Sequence, residues 1–275
     1  MAKQLEKAPK AYRNKEFLNS PIARPIRLLT EYFEPLDRLQ RLDIKDTEVF
    51  FGSARTLPAD AAKKNLKELI KKNAGIKKPG TKILQDIKNA EMDVEMSKYY
   101  QDAEELAYRL TKWSKSLRKG NKFVVTSGGG PGMMEAANRG AQRAKGLSIG
   151  LNISLPFEQY PNPYIDEELN FEFHYFFMRK FWFAYMAKAL VIMPGGYGTL
   201  DELMEVLTLV QTQKLNKKMT IVIYGEEFWR KVVNFEAMAE TRMISPEDLK
   251  LFKFISNVDE AFEYLKKELT KNYVK

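Results

Sequence analysis

From Thr47 onward the chain repeats one pattern: a short run of β-branched and aromatic residues that ends at Gly, Ser or Pro, then a stretch with helical spacing. The runs are EVFFGS, KFVVTSGGG, LSIGLNISLP, NFEFHYF, ALVIMPGG, MTIVIYG and KFISN. Strands separated by amphipathic helices pair in parallel, with the helices covering both faces of the sheet. The reading is therefore α/β: a Rossmann-like, doubly wound, mainly parallel sheet. Helices are predicted over 92–118, 132–144, 176–188, 199–212, 227–239 and 258–272. Residues 1–45 read as an N-terminal helical extension, in which SPIARP and FEPLDR form proline-bearing turns around helix-like patterning such as IRLLTEYF. Residues 46–275 read as a single Rossmann-like domain.

Composition removes whole classes of chemistry. The 275 residues include no cysteine and one histidine, His174, so disulfides, thiolate nucleophiles and most zinc sites are excluded. No metal and no cofactor is expected. A histidine standing alone between aromatics reads as structural. The opening residues lack the apolar core of a secretion signal, and no window approaches a membrane span, so a cytoplasmic location is expected. The net charge of +9 is concentrated in residues 63–82, KKNLKELIKKNAGIKKPGTK, which carry eight Lys against one Glu. That stretch has no aromatic residue to stack on bases, so it reads as a solvated helix and loop rather than a nucleic-acid site.

In an open parallel sheet, ligands sit beyond the carboxyl ends of the strands. Three of these ends are rich in small residues: GSAR at 52–55, TSGGGPGMME at 126–135 and PGGYGTLDE at 194–202. Bare main-chain N–H groups at such a corner, together with the positive end of the following helix, suit a phosphate. Candidate binding residues are Ser53, Gly129, Gly130, Gly195, Gly196, Tyr197, Gly198 and Thr199. Neither corner completes G-x-G-x-x-G, and no G-K-[ST] follows a glycine loop, so dinucleotide binding and P-loop chemistry lose ground. Thr199 and Glu202 have the T-x-x-E spacing of a capping box. Glu202 is thus either a helix cap or a carboxylate facing whatever the phosphate is attached to. Arg179 and Lys180, one turn into an aromatic-rich helix, are either surface cations or part of the same site.

Taken together, GGGPGMMEAANRGA, the M-R-K at 178–180 and PGGYGTLDE resemble the Lonely Guy family of cytokinin-activating phosphoribohydrolases and their bacterial nucleotide-nucleosidase relatives, often labelled possible lysine decarboxylases. The resemblance runs from about Thr47 to the C-terminus. It implies a nucleotide-binding catalytic domain that hydrolyses the N-glycosidic bond of a nucleoside 5′-monophosphate to free base and ribose 5-phosphate. It places Arg179 and Glu202 on the catalytic pair, and Lys180 and the stretch Gly196 to Thr199 on substrate-binding positions. Glu158 and Thr208 align with two further binding positions. A homodimer or higher homo-oligomer is expected, through the aromatic-rich helix. Two features depart from the compact members: the longer N-terminal extension and the lysine-rich insertion after GSAR. The alternative is a non-catalytic carrier of a nucleotide or of a phosphorylated pterin, the molybdenum cofactor; a third reading, nucleic-acid processing, rests on the lysine segment alone.

Overall fold

The computed structural model describes residues 7–76, 78–117, 119–155 and 160–274. Seven strands form one sheet: β1 (Thr47–Phe51), β2 (Val124–Ser127), β3 (Ser148–Ile153), β4 (Asn170–Phe173), β5 (Ala187–Ile192), β6 (Thr220–Tyr224) and β7 (Lys253–Ile255). The spatial order is β4-β3-β2-β1-β5-β6-β7, and every pairing is parallel. Each strand coincides with one of the seven apolar runs. β1, β2, β3 and β6 are buried at every position, which is why they read as continuous apolar runs, whereas β4 at the edge alternates exposed and buried residues.

The helices are α1 (Lys15–Asn19), α2 (Arg24–Arg41), α3 (Ala59–Asn73), α4 (Thr81–Ser116), α5 (Met133–Arg143), α6 (Phe176–Met186), α7 (Tyr197–Gln211), α8 (Glu226–Val232), α9 (Phe235–Glu240) and α10 (Val258–Tyr273). Two apolar layers result. One joins a face of the sheet to α2, α6, α7 and α8, around Leu39, Trp182, Phe183, Leu203 and Trp229. The other joins the opposite face to α4, α5 and α10, around Tyr100, Leu106, Leu110, Met133 and Leu265. No helix among the described residues is long and apolar enough to cross a membrane.

Three local expectations change. FEPLDR is not a turn: Pro35 lies inside α2. A proline in mid-helix takes away the N–H that would bond to the carbonyl four residues earlier, and the freed carbonyl of Glu31 instead accepts Trp182 Nε1–H at 2.8 Å. The docking of α2 on α6 thus makes use of the acceptor that the proline frees. The helix predicted from residue 92 begins at Thr81, its first turns half-burying Ile83, Ile87, Ala90 and Val94 at helical spacing between mostly polar exposed residues. The helix predicted over 227–239 is two helices, since Asn234 accepts the N–H of Ala237 at 2.9 Å and starts a new one. The lysine-rich segment supplies most of α3, where Lys63, Lys64, Lys67, Lys71 and Lys72 are all exposed.

Candidate active site

β1 borders β2 on one side and β5 on the other, so the direction of winding reverses between β1 and β5 and a crevice opens beyond their carboxyl ends. The corners leaving β1, β2 and β5 are tied together there. Ser53 N–H donates to Pro194 O at 3.0 Å, Met193 N–H to Phe51 O at 2.8 Å, and Met133 N–H to Ser53 O at 3.0 Å. A buried polar network fixes the glycine triplet after β2. Asn162 Nδ2 donates to the carbonyls of Gly129 and Gly130, each at 3.1 Å, and to Asn138 Oδ1 at 2.9 Å. Ser127 Oγ–H completes it by donating to the same Asn138 oxygen at 2.6 Å. The resulting cavity, of about 690 Å³, is lined by all three corners, by Arg179 of α6 and by the first turns of α7.

α7 starts directly at this cavity. Its N-cap is Gly196, and no side chain caps it, so its first N–H groups have no partner within the helix. A Cβ placed on Gly196 or Gly198 would meet nothing within 4 Å; these glycines leave the main chain open rather than accommodating a neighbour. The capping box does not form. Thr199 is already the third residue of the helix and Glu202 the sixth, so the Glu202 carboxylate is not spent on the helix terminus.

Glu202 is only 6% exposed. Burial pushes its pKa up to about 7; Lys180 and Arg179 pull it down, and Glu205 and Asp201 push it up. Arg179 lies in the same cavity wall, its Nε–H donating to Leu151 O at 2.8 Å and its guanidinium 5.2 Å from the Phe183 ring centre. Burial lowers the pKa of Arg179, against the attraction of Glu202 and Glu172. Gly128 makes room for it: a Cβ there would stand 2.5 Å from Arg179 Nη2. The site therefore combines a buried carboxylate, a half-buried guanidinium and an uncapped helix start.

Of the residues expected from the sequence, Ser53, Gly195, Gly196, Tyr197, Gly198, Thr199, Arg179 and Glu202 line the cavity. Lys180 does not. Its Nζ is held by Asp201 at 2.7 Å, Glu205 at 2.6 Å and Glu202 at 3.5 Å, and these bonds outweigh the effect of burial and raise its pKa. Its link to the cavity is the ion pair with Glu202. Gly129 and Gly130 also lie outside the cavity lining, and their carbonyls are engaged by Asn162; Gly128 is the member of the triplet that lines it. Thr208 is further along α7, donates to Met204 O at 2.7 Å and borders a separate groove of about 90 Å³ with Phe235 and Phe252. Glu158 lies outside the described residues. His174 is exposed, with its ring edge-on to Tyr175 at 4.7 Å. Arg55, Met134, Phe176 and Val232 also line the cavity. Arg55 is legible as the last residue of GSAR, whereas Val232 is brought in by the fold alone.

A family model described as possible lysine decarboxylase matches residues 134–265, which begin in α5, include Arg179 and Glu202, and end in α10. A cytokinin riboside 5′-monophosphate phosphoribohydrolase of Oryza sativa subsp. japonica is 36% identical over 72 residues, 26% of this chain and 29% of that relative. The chain thus matches under a third of that curated relative's length. Among solved structures, the molybdenum cofactor binding protein from the phototrophic bacterium Rippkaea orientalis is 21% identical with a TM-score of 0.43, over 62% of this chain and 89% of that one. A Moco carrier protein from Chlamydomonas reinhardtii is 19% identical with a TM-score of 0.45, over 82% and 99% of the two chains.

Proposed function

We propose that this chain, which belongs to the Lonely Guy, or possible lysine decarboxylase, family, hydrolyses the N-glycosidic bond of a nucleoside 5′-monophosphate. The observation that carries the reading is the joint presence of Glu202, Arg179 and the uncapped start of α7 around one cavity. The open N–H groups around Gly196 and Gly198 take the phosphate, favoured by the helix dipole. The phosphate then acts as a handle that sets the ribose against the buried carboxylate. As the C1′–N bond breaks, positive charge grows on the sugar ring, and the buried carboxylate of Glu202 stabilises it. Water adds to C1′ and its proton passes to Glu202; the departing base takes up a proton from solvent and Glu202 returns its own, so that one water is divided between ribose 5-phosphate and free base. A carboxylate with a pKa near 7 suits that task at neutral pH. Arg179 holds the phosphoribosyl group and its charge.

The reading includes a cytoplasmic location and a homodimer or higher homo-oligomer. The half-exposed Phe176, Phe177 and Tyr185 on α6 support self-association, which light scattering on the purified protein reads directly.

The test is to incubate the protein with a panel of nucleoside monophosphates and separate free base by chromatography. Base release supports the hydrolase, and its ranking across the panel identifies the preferred base. Tight binding without release supports a nucleotide carrier instead. Arg179→Ala is expected to lose both phosphate-dependent affinity and turnover, the latter by about 10²-fold or more; parent-like kinetics would remove Arg179 from the site.

A further inference from the structure

The helix that carries Arg179 has no cap of its own. Its N-cap is Tyr175, which makes no side-chain cap bond, and no acidic residue lies in the first turn of FFMRKFWFAYM. The unpaired N–H groups and positive dipole end of such a helix need an acceptor from elsewhere. It comes from α2, more than 140 positions earlier in the chain. Glu31 Oε1 accepts the His174 N–H at 2.8 Å, and Glu31 Oε2 accepts the Tyr175 N–H at 3.2 Å. The main-chain carbonyl of the same residue accepts Trp182 Nε1–H at 2.8 Å, made available by Pro35. Nearby, Arg27 Nε–H donates to the Tyr175 hydroxyl at 3.3 Å, and the Tyr32 ring packs 5.7 Å from Phe181 and 5.9 Å from Trp182.

We propose that the N-terminal extension is part of the working site, with Glu31 a positioning residue that caps α6 and so fixes Arg179 against the cavity. The link is short. Tyr175, whose N–H Glu31 holds, accepts the Arg179 N–H on its own carbonyl at 3.2 Å. On the opposite side, Arg179 Nε is anchored to Leu151 O of β3. The first turn of α6 is therefore held from both sides, and releasing Glu31 leaves the turn free to fray with Arg179 on it. Glu31 meets main-chain N–H groups with a carboxylate, so both the second acceptor oxygen and the negative charge matter; the amide of Gln supplies neither.

The role of Arg179 in turnover rests on the hydrolase reading, so the experiment has an arm that does not. Glu31→Gln is compared with the parent by amide hydrogen exchange and by base release from AMP. The expected result is exchange in residues 174–179 faster by about tenfold, unchanged exchange in β6, and kcat/KM lower by about tenfold. If the 174–179 amides exchange as in the parent, the clamp is overturned. If exchange rises equally in β6, Glu31 is a contributor to global stability and the positioning role is overturned as well. Faster local exchange with unchanged kcat/KM overturns the link to Arg179. If the parent releases no base from any monophosphate, the hydrolase reading fails, while the exchange arm still decides whether Glu31 holds α6.

Discussion

Glu202 stands at the sixth position of α7 with two cations and two carboxylates around it, and the balance among them sets its chemistry. Its pKa of about 7 means that the carboxylate is largely lost below pH 6, so base release should rise with pH through an apparent pKa near 7. Glu205→Gln removes a negative neighbour and frees Lys180 to turn toward Glu202. That limb should then move to lower pH by about half a unit or more; a pH–rate profile unchanged by the substitution would show that the cluster does not tune Glu202. A second buried carboxylate gives a stability prediction. Glu48 on β1 is fully buried, and neither carboxylate oxygen has a hydrogen-bond partner. Burial raises its pKa well above the ordinary 4.5. Above about pH 4.5 the unfolded chain sheds this proton while the folded chain keeps it, so stability falls as pH rises. Glu48→Gln should match the parent near pH 4 and exceed it by at least about 1 kcal/mol at pH 8, as read by denaturant unfolding at both pH values. At this scale the sequence was partly legible. The T-x-x-E spacing suggested a cap, because nothing local shows that the helix starts two residues before Thr199. The glycine triplet pointed to a corner that lines the cavity, but only the packing of Arg179 singles out Gly128 from Gly129 and Gly130.

α7 leaves its first turn uncapped and open at the expense of its own stability. Gly198 lies inside the helix with open space where a Cβ would be. Replacing such a glycine with alanine ordinarily stabilises a helix by about 0.5–1 kcal/mol. Gly198→Ala should therefore raise the unfolding midpoint while weakening AMP affinity, as measured by calorimetry, because the new methyl group shields the N–H groups that the phosphate needs. A variant that binds AMP as tightly as the parent would place the phosphate elsewhere. The strands were legible because parallel strands buried on both faces are continuous apolar runs that end abruptly at small residues. The helices were less so. The break at Asn234 depends on one side-chain cap, the start of α4 half-buries only a narrow stripe among mostly polar exposed residues, and Pro35 lies inside α2, where Trp182 satisfies the carbonyl it frees. That compensation comes from a residue far away in the chain, which no local pattern reveals.

The molecule as a whole opens its cavity at the reversal of the sheet. The strand order brings GSAR, GGGPG and PGGYG to one crevice although they are some 70 residues apart in sequence, and their grouping followed from the parallel topology alone. What the topology did not reveal was the part played by the extension: α2 looked like an appendage, yet it supplies the cap of the helix that carries Arg179. The positive net charge belongs largely to the exposed face of α3 and the loop after it, and none of the five α3 lysines lines the cavity. The central claim is that the buried acid breaks the bond to the base while the corner only holds the phosphate. The most direct measurement is base release and binding for the parent and Glu202→Gln, with AMP and with adenosine. The account predicts that the parent frees adenine from AMP far faster than from adenosine, and that Glu202→Gln binds AMP with similar affinity but releases base at least about 10²-fold more slowly. Equal turnover by the variant, or no release of base from any monophosphate by the parent, would contradict it.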